Sequence, residues 1–254
     1  MRIVRTQGIV LRYTNFREAD RMLTIFSPDR GKMQVLARGC RKPKSRLLAA
    51  SELFCYADYI FVKSKEIYVM TQADIRNSFY DIRNDVERLT YGTHILALTE
   101  EAVNYEEGNF RLFYMLLQVL AYLAYGEINP ADTAHVFELK LIDLLGYRPV
   151  LDRCIACGSP IEQLNSNKLF FSASQGGIVC RSCNSGVNDG YAVHKNTIQT
   201  MRFILSMDIK RLGVLKFSGM VRNELDYILS GYLSEIIGRP IKTRSFIDMI
   251  KNDK

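Results

Sequence analysis

The sequence predicts an α+β protein with more than one domain: a small N-terminal β-barrel of the OB-fold type, followed by an α-helical C-terminal domain with a four-cysteine insertion. Three observations predict this arrangement. Short β-type segments follow one another up to about residue 80, helical periodicity begins at residue 81, and two Cys-x-x-Cys pairs lie in a loop-rich stretch over 148–190. We therefore expect domains over 1–80 and 81–254, the second of which includes the insertion.

Five short strands are predicted in the first 75 residues. Apolar and polar residues alternate in the clearest of them, as in a half-buried strand. Pro28, Asp29 and Gly31 predict a turn after the second strand, because Pro and Asp start turns and Gly31 can adopt a positive φ. Another turn is predicted at Ser64-Lys65. Five strands in so short a segment indicate a closed or partly closed barrel, compatible with an OB-fold. The predicted strands cover 3–11, 23–26, 33–37, 56–62 and 66–72.

Beyond residue 81, apolar residues recur at the spacing of amphipathic helices. Pro130 in the first turn and Gly146 just after the end are typical of helix boundaries. The longest apolar run, 112–125, has 14 residues and contains Gln118. It is shorter than a membrane span of about 20 residues and therefore predicts a buried helix. The predicted helices cover 82–97, 112–123, 136–145, 197–212 and 221–237.

The N-terminus has charges within its first five residues and no long apolar stretch behind them. This pattern is not that of a secretory signal. Apolar residues make up 48% of the chain, which is enough for a buried core. We therefore expect a soluble cytoplasmic protein without membrane association.

Two further cysteines, Cys40 and Cys55, lie outside the insertion. They are predicted to be plain thiols in or near the barrel.

The formal net charge of +7 is unevenly distributed. Residues 1–50 contain 12 Lys/Arg and 3 Asp/Glu, whereas the other 204 residues contain 22 basic and 24 acidic residues. The whole basic excess therefore lies in the first fifth of the chain. A basic surface concentrated in one module indicates a polyanionic partner, and a solvated basic face without a partner is the alternative.

The insertion contains two cysteine pairs with two residues inside each pair: Cys154 with Cys157, and Cys180 with Cys183. The pairs are separated by 22 residues, slightly more than in the commonest zinc ribbons. Two such pairs can supply four thiolates to one tetrahedral Zn²⁺, and four protein ligands leave no open position for water, so the expected zinc site is structural. A metal-free site and a redox pair are weaker alternatives, and a disulfide framework fits poorly with a chain without an export signal.

The densest run of basic residues lies between the third and fourth predicted strands, in the segment 38–46. This segment also contains glycine and proline, and such a loop can follow a phosphate backbone closely. Tyr13 and Phe16 could stack on bases, although packing in the barrel is slightly favoured for both. For the loop, a solvated connector is the alternative. The predicted DNA contacts are Arg12, Arg17, Arg30, Lys32, Arg38, Arg41, Lys42, Lys44 and Arg46.

Motifs of several enzyme classes are absent from the sequence. The chain has no GxxxxGK[ST] phosphate loop, no HExxH and no GxSxG. The three histidines are scattered and are predicted to pack or to lie at the surface. The acidic pairs Glu100-Glu101 and Glu106-Glu107 are predicted to be solvated. We therefore expect a binding protein without a catalytic centre.

Short motifs occur along the chain in the order found in the RecO family of bacterial recombination mediators. In the first domain these are Gly8-Ile9-Val10-Leu11, Glu18-Ala19-Asp20-Arg21, Gly31-Lys32, Ala37-Arg38-Gly39 and Lys44-Ser45-Arg46. Further along they are Phe137-Glu138-Leu139-Lys140-Leu141, Leu145-Gly146-Tyr147-Arg148-Pro149, Cys154-Ile155-Ala156-Cys157-Gly158, Phe171-Ser172, and Gly176-Gly177 before Cys180. Because the match covers nearly the whole chain, the sequence resembles this family specifically.

The resemblance implies an N-terminal OB-fold, a helical domain and a zinc-binding insertion packed against the helices. It implies binding of single- and double-stranded DNA, annealing of complementary strands and a nucleoid-associated location. With RecR, and often RecF, such proteins help RecA to displace single-strand-binding protein. The acidic C-terminal tail of single-strand-binding protein is expected to bind a pocket in the helical region.

Two other functions are compatible with the residues. The first is a zinc-stabilised interaction scaffold whose basic module contacts an acidic protein tail, and a test of DNA binding at physiological salt separates it from a mediator. The second is a hydrolase that acts on nucleic acids. It lacks a catalytic carboxylate or histidine cluster in the sequence, and a nuclease assay with Mg²⁺ tests it.

Overall fold

The computed structural model describes residues 2–64, 67–164 and 168–252. The chain divides into two compact units, Met1–Gly126 and Glu127–Lys254. The first unit contains a five-stranded barrel and two helices, and the second contains further helices and a small sheet near the cysteine pairs. The predicted boundary at residue 80 lies within the first unit, between the barrel and its two helices.

The strands of the first unit are β1 (Arg2–Phe16), β2 (Asp20–Ser27), β3 (Gly31–Ala37), β4 (Tyr56–Ser64) and β5 (Ile67–Asn77). They form a closed barrel in the order β1-β2-β3-β5-β4. β3 and β5 run parallel, and the other neighbouring strands are antiparallel. A five-stranded barrel of this kind agrees with the predicted OB-fold. Residue 65 of the predicted turn at Ser64-Lys65 lies outside the described residues, as does residue 66 of the last predicted strand.

Buried apolar side chains fill the barrel, because alternate residues of its strands point inward. The rings of Tyr59 and Phe61 are stacked, with centroids 5.5 Å apart and planes at 13°. Each large apolar side chain buried in this way contributes about 1.5–3 kcal/mol, which fixes the register of the strands. Cys40 and Cys55 belong to the same core, as predicted.

Two helices complete the first unit: α1 (Val86–Ala102) and α2 (Phe110–Tyr125). Asp85 and Asn109 cap them, since each side chain accepts a hydrogen bond from a backbone amide of the first turn. The predicted helix over 82–97 starts later than expected because 80–84 form a 3₁₀ turn before the Asp85 cap. Among the described residues, no helix is long and apolar enough to cross a membrane.

The turn between β2 and β3 requires glycine at position 31. Gly31 has a φ of +61°, and a Cβ at this position would lie 2.2 Å from the carbonyl oxygen of Glu107 and 2.5 Å from that of Asn104. The backbone amide of Lys32 donates to the same Asn104 carbonyl at 2.9 Å. The segment that follows α1 therefore lies directly against this end of the barrel.

The second unit consists of α3 (Pro130–Leu144), β6 (Lys168–Ser172), β7 (Gly177–Val179), β8 (Tyr191–His194), α4 (Lys195–Ser206), α5 (Gly219–Ile237) and α6 (Arg244–Asn252). The strands form an antiparallel sheet in the order β7-β6-β8, within the stretch predicted as loops and just beyond it. α3 packs against α4 and α5. Gly238, with a φ of +73°, ends α5 in the left-handed conformation.

Candidate metal centre and nucleic-acid interface

The four cysteines of the insertion lie together. Their sulfur atoms are all within 4.8 Å of one another, and the Sγ atoms of Cys157 and Cys180 are 3.9 Å apart. Four thiolates at about 2.3 Å from a central Zn²⁺ would have their sulfurs about 3.8 Å apart. The observed spacing therefore fits a tetrahedral four-thiolate site. Cys154 and Cys180 are buried, Cys183 is half-buried and Cys157 is exposed.

Backbone hydrogen bonds hold both cysteine pairs in tight turns. In the first pair, Gly158 has a φ of +75° and its amide donates to the Cys154 carbonyl at 2.9 Å. In the second pair, the Cys183 amide donates to the Cys180 carbonyl at 3.1 Å. The two turns are also joined, since the Cys180 amide donates to the Cys154 sulfur at 3.3 Å. These hydrogen bonds therefore hold the four sulfur atoms close together.

The thiols of this cluster do not lose their protons independently. The hydroxyl and amide of Ser159 stabilise a thiolate at Cys157 and lower its pKa to about 6. Hydrogen bonding with Cys180 and Cys157 raises the pKa of Cys183 to about 12. A thiolate therefore forms readily at Cys157, whereas the neighbouring cysteines disfavour a second thiolate at Cys183. A divalent cation bound among the sulfurs would offset the repulsion between thiolates, because thiols that coordinate a metal ion are deprotonated. The donor set therefore fits a thiophilic divalent cation.

The predicted basic loop follows β3 and is open to solvent. Its five Lys/Arg side chains are exposed, and none forms an ion pair with a carboxylate in the part of the chain that the structure describes. This contrasts with Arg21, a basic residue of the same module that is buried and donates to the Glu52 carboxylate at 2.8 Å. The loop cations therefore have no carboxylate to neutralise them and are available to an external anion, although the Arg41 guanidinium also donates to the Glu18 carbonyl at 3.1 Å. They are Arg38, Arg41, Lys42, Lys44 and Arg46.

The base of this loop is fastened to the turn between β1 and β2. The Gly39 amide donates to the Asp20 carboxylate at 2.7 Å, and the Arg41 amide donates to the Ala19 carbonyl at 3.0 Å. The exposed Arg17 belongs to the same turn, and its guanidinium lies 5.2 Å from the ring centroid of Phe16. We call the five loop cations together with Arg17 the basic loop surface.

The remaining three predicted contacts have partners within the first unit. Arg12 forms an ion pair with Glu100 at 3.0 Å, and this pairing raises the Arg12 pKa above its ordinary value. Lys32 donates to the Glu100 carbonyl at 2.7 Å, while Arg30 lies 3.5 Å from the Asp29 carboxylate. These three side chains are thus already engaged by groups of the same chain.

The segment 100–107, which carries both acidic pairs, covers the part of the barrel where Arg12 and Lys32 lie. The ring of Tyr105 lies 4.8 Å from the Lys32 ammonium, and Glu106 forms an ion pair with Lys63 at 2.9 Å. The prediction that these acidic pairs are solvated is therefore wrong for Glu100, whose side chain is 20% exposed, whereas Glu106 is 68% exposed despite its ion pair. Sequence distance hides such contacts, since Arg12 and Glu100 are 88 residues apart.

The two aromatic residues considered for base stacking differ in exposure. Tyr13 is half-buried, packs against the barrel core and has the Arg21 guanidinium 4.0 Å from its ring centroid. Phe16 has 39% of its surface exposed, beside the basic loop surface. Packing was the favoured interpretation for both, and it holds for Tyr13 alone.

The histidines lie where packing residues are expected. His94 and His135 are buried in α1 and α3, with 1% of their surface exposed. The His135 Nε2 atom is 3.2 Å from the Asp226 carboxylate, and His194 Nδ1 is 2.5 Å from Glu224. In the described part of the chain, the four cysteines form the one set of three or more potential ligands gathered closely enough for a metal ion.

Comparison with known families agrees with this architecture. The family model described as "Recombination protein O N terminal" matches residues 1–79, and that described as "Recombination protein O C terminal" matches residues 83–245. The chain is 33% identical over 251 residues to the DNA repair protein RecO of Acetivibrio thermocellus, which covers 99% of the chain and 97% of that relative. It is 33% identical over 248 residues to RecO of Pelotomaculum thermopropionicum, covering 98% and 94%. RecO of Desulforamulus reducens is 32% identical over 250 residues, covering 98% and 96%. The chain therefore belongs to the RecO family of DNA repair proteins.

Proposed function

We propose that this chain is a recombination mediator that binds single- and double-stranded DNA and anneals complementary strands. Together with RecR, and with RecF where that protein takes part, it helps to load RecA onto DNA coated with single-strand-binding protein. The observation that carries the proposal is the basic loop surface, where exposed cations without carboxylate partners in the described chain project from a barrel of the OB-fold type.

Annealing brings two anionic strands together against the repulsion between their phosphates. Lys and Arg side chains neutralise phosphates and release condensed counterions, which favours binding most strongly at low salt. Contacts of this kind carry no sequence information, so any pair of complementary strands can be handled. The proposed activity needs neither a covalent intermediate nor ATP hydrolysis, in keeping with the absence of a phosphate-loop motif.

The proposed phosphate contacts fall into two groups. The basic loop surface supplies the first group, because its exposed side chains form no ion pair within the described residues, although the Arg41 guanidinium donates to the Glu18 carbonyl at 3.1 Å. Arg12, Arg30 and Lys32 form a second group that must exchange an intramolecular partner for a phosphate. Phe16 is suited to stack on an unpaired base beside the loop, since aromatic rings bind bases without sequence preference.

For the metal centre we propose one Zn²⁺ held by Cys154, Cys157, Cys180 and Cys183. Zinc supplies a fixed tetrahedral crosslink here, and four protein ligands leave no position for a reacting water. The side chains of the site thereby tie the first turn of the insertion to the turn after β7. The proposed zinc site lies in the second unit, and its proposed role is structural.

Family membership supports the remaining parts of the proposal. These are contacts with RecR, with RecF and with the acidic C-terminal tail of single-strand-binding protein, a functional link to RecA, and a nucleoid-associated location in the cytoplasm. The proposed contacts with these three partners are binding events and involve no chemical step.

The proposal is tested by annealing complementary oligonucleotides coated with the cognate single-strand-binding protein, without ATP and across a salt series. We expect the protein to accelerate annealing and the acceleration to decrease as salt rises. If there is neither acceleration nor DNA binding at low salt, the mediator function is rejected. The zinc-stabilised scaffold that contacts an acidic protein tail then becomes the better account.

A further inference from the structure

The segment that carries the loop cations begins and ends beside two consecutive residues of β2, Asp20 and Arg21. Arg21 is paired with Ala37 between β2 and β3, so the segment leaves the barrel next to Arg21. It returns to the same place at Ser51, whose carbonyl and hydroxyl oxygens accept from the Arg21 guanidinium at 3.2 and 3.1 Å. The segment 38–51 is therefore a closed loop with both ends held at the start of β2.

The first end of this loop is held by Asp20. Its carboxylate accepts from the Gly39 amide at 2.7 Å and makes no other hydrogen bond or ion pair with the described residues. Gly39 has a φ of +63°, which turns the chain sharply just after β3. Because an ionised carboxylate is a stronger acceptor than a neutral oxygen, this contact fixes the direction in which the loop leaves the barrel.

Between its two ends the loop is a succession of short turns. The amides of residues 42, 45, 48 and 51 each donate to the carbonyl three residues earlier, at 2.9–3.3 Å. Leu47 packs against the barrel core. The loop thus has a defined backbone shape of its own, and its orientation is set where its two ends are attached.

The same attachment joins the loop to Arg17, the sixth cation of the basic loop surface. Arg17 lies three residues before Asp20, in the turn between β1 and β2, and has a φ of +54° that few residues other than glycine adopt. The Arg41 guanidinium donates to the Glu18 carbonyl of this turn at 3.1 Å. The bond from Gly39 to Asp20 therefore helps to set the position of the loop cations relative to Arg17.

The charge of Asp20 and the position of its carboxylate have opposite effects on DNA binding. The carboxylate neutralises none of the loop cations, and its negative charge repels phosphates, weakly so at physiological salt because ions screen it. A loop that turns away from the barrel, however, no longer presents its cations together with Arg17. Apparent affinity falls in proportion to the fraction of molecules in the binding arrangement, so loss of the anchor weakens binding.

We propose that Asp20 is a positioning residue for DNA binding: a carboxylate that raises the affinity for a polyanion because it holds the basic loop surface in one arrangement. Arg21 secures the other end of the loop and, with 8% of its surface exposed, is itself buried away from a bound strand. This inference rests on the proposed function and adds to it a residue that acts without touching DNA.

The test compares Asp20→Ala with Asp20→Asn in the full-length protein, by titration of a fluorescent single strand and of its duplex at fixed ionic strength. The asparagine oxygen can still accept from the Gly39 amide, so this variant should bind DNA as tightly as the wild type or slightly more tightly. Asp20→Ala loses the acceptor and should bind about threefold or more weakly, although it also loses a negative charge. Glu18→Ala is the matched control, because it removes an exposed carboxylate without a partner among the described residues from the same turn, and it should behave like Asp20→Asn.

Limited digestion with trypsin reports on the loop itself, since trypsin cuts after Lys and Arg. Cleavage within 38–46 should be faster in Asp20→Ala than in the wild type, Asp20→Asn or Glu18→Ala. Asp20→Glu is a second variant that keeps the charge and moves the carboxylate away from its place. Weaker DNA binding and faster cleavage are expected of it as well, and this holds even if Asp20→Ala does not fold.

The outcomes separate this inference from the proposed function. If charge alone matters, Asp20→Ala, Asp20→Asn and Glu18→Ala all gain affinity and Asp20→Glu equals the wild type, which overturns the positioning role while DNA binding stands. Equal cleavage of the loop in all five proteins overturns it as well. If the wild-type protein binds neither the single strand nor the duplex at low salt, the proposed function itself fails.

Discussion

The guanidinium of Arg12 and the carboxylate of Glu100 lie 3.0 Å apart, on a strand of the barrel and on the helix that follows it. Beside them, the Lys32 ammonium lies 4.8 Å from the centroid of the Tyr105 ring. The segment 100–107 thus offers these cations a carboxylate and an aromatic ring, the two kinds of group that a nucleotide would offer as phosphate and base. An intramolecular acidic segment and a DNA strand are expected to compete for the same side chains.

Glu100→Gln should increase DNA affinity by about two- to fivefold at low salt, because Arg12 loses its competing partner. The pair is partly solvated, with 52% and 20% of the two side chains exposed, so stability should fall by less than about 1 kcal/mol. DNA titrations and denaturant unfolding measure the two effects. Glu101→Gln is the matched control, and an equal gain in that variant would show that net charge alone is responsible.

Lys42→Ala combined with Lys44→Ala should weaken binding to all DNA sequences alike. The slope of log affinity against log salt should become shallower by about one for each phosphate contact removed. The control is Lys216→Ala with Lys242→Ala, which removes the same charge from exposed positions of the second unit. If both double variants lose the same affinity, the loop has no special role in DNA binding.

Cys157→Ser should remove the bound metal. The wild-type protein is expected to contain one Zn²⁺ per chain by elemental analysis, and the variant to contain much less and to melt at a lower temperature. Ser159→Ala changes a neighbour of the cluster that is not a ligand, so it should retain the ion. A wild-type protein purified without chelator that contains no zinc would contradict the structural site.

Cys55 should make stability depend on pH in the alkaline range. Burial raises the Cys55 pKa from 9.0 to about 11, so the folded state favours the neutral thiol. Its contribution is complete below pH 9 and is lost as pH rises toward 11, by about 2–3 kcal/mol for a shift of this size. Urea unfolding at pH 8 and pH 11 measures this loss. Cys55→Ala should lose less stability over the interval, and an identical loss in both proteins would refute the role of the thiol.

Local patterns in the sequence were sufficient for much of the fold. Strands in which apolar and polar residues alternate predict the barrel, because only one register of strand pairing buries the apolar face. Asn109 caps the start of α2, just before its helical periodicity begins. Gly238 ends α5, just after the helical periodicity of that segment ends. The cysteine spacing predicts the four-sulfur cluster, since two tight turns bring all ligands to one point.

Other features depend on contacts between distant residues and have no local signature. The first strands of the insertion are short, with five residues in β6 and three in β7, so no alternation is long enough to detect. The ion pair of Arg12 with Glu100 arises where two segments 88 residues apart in the sequence meet. Charge density alone therefore could not separate the cations that have an acidic partner, such as Arg12, from those of the loop that have none among the described residues.

The anchoring of the basic loop has a consequence for the thermodynamics and speed of association. The hydrogen bonds from Gly39 to Asp20 and from Arg41 to Ala19 fix the backbone at the start of the loop before any strand arrives. Ordering a flexible backbone costs about 1–2 kcal/mol per residue, and a loop already held in place avoids part of that entropy loss. Encounter with DNA can then proceed by electrostatic attraction to a preformed surface, at a rate limited by diffusion rather than by rearrangement of the loop.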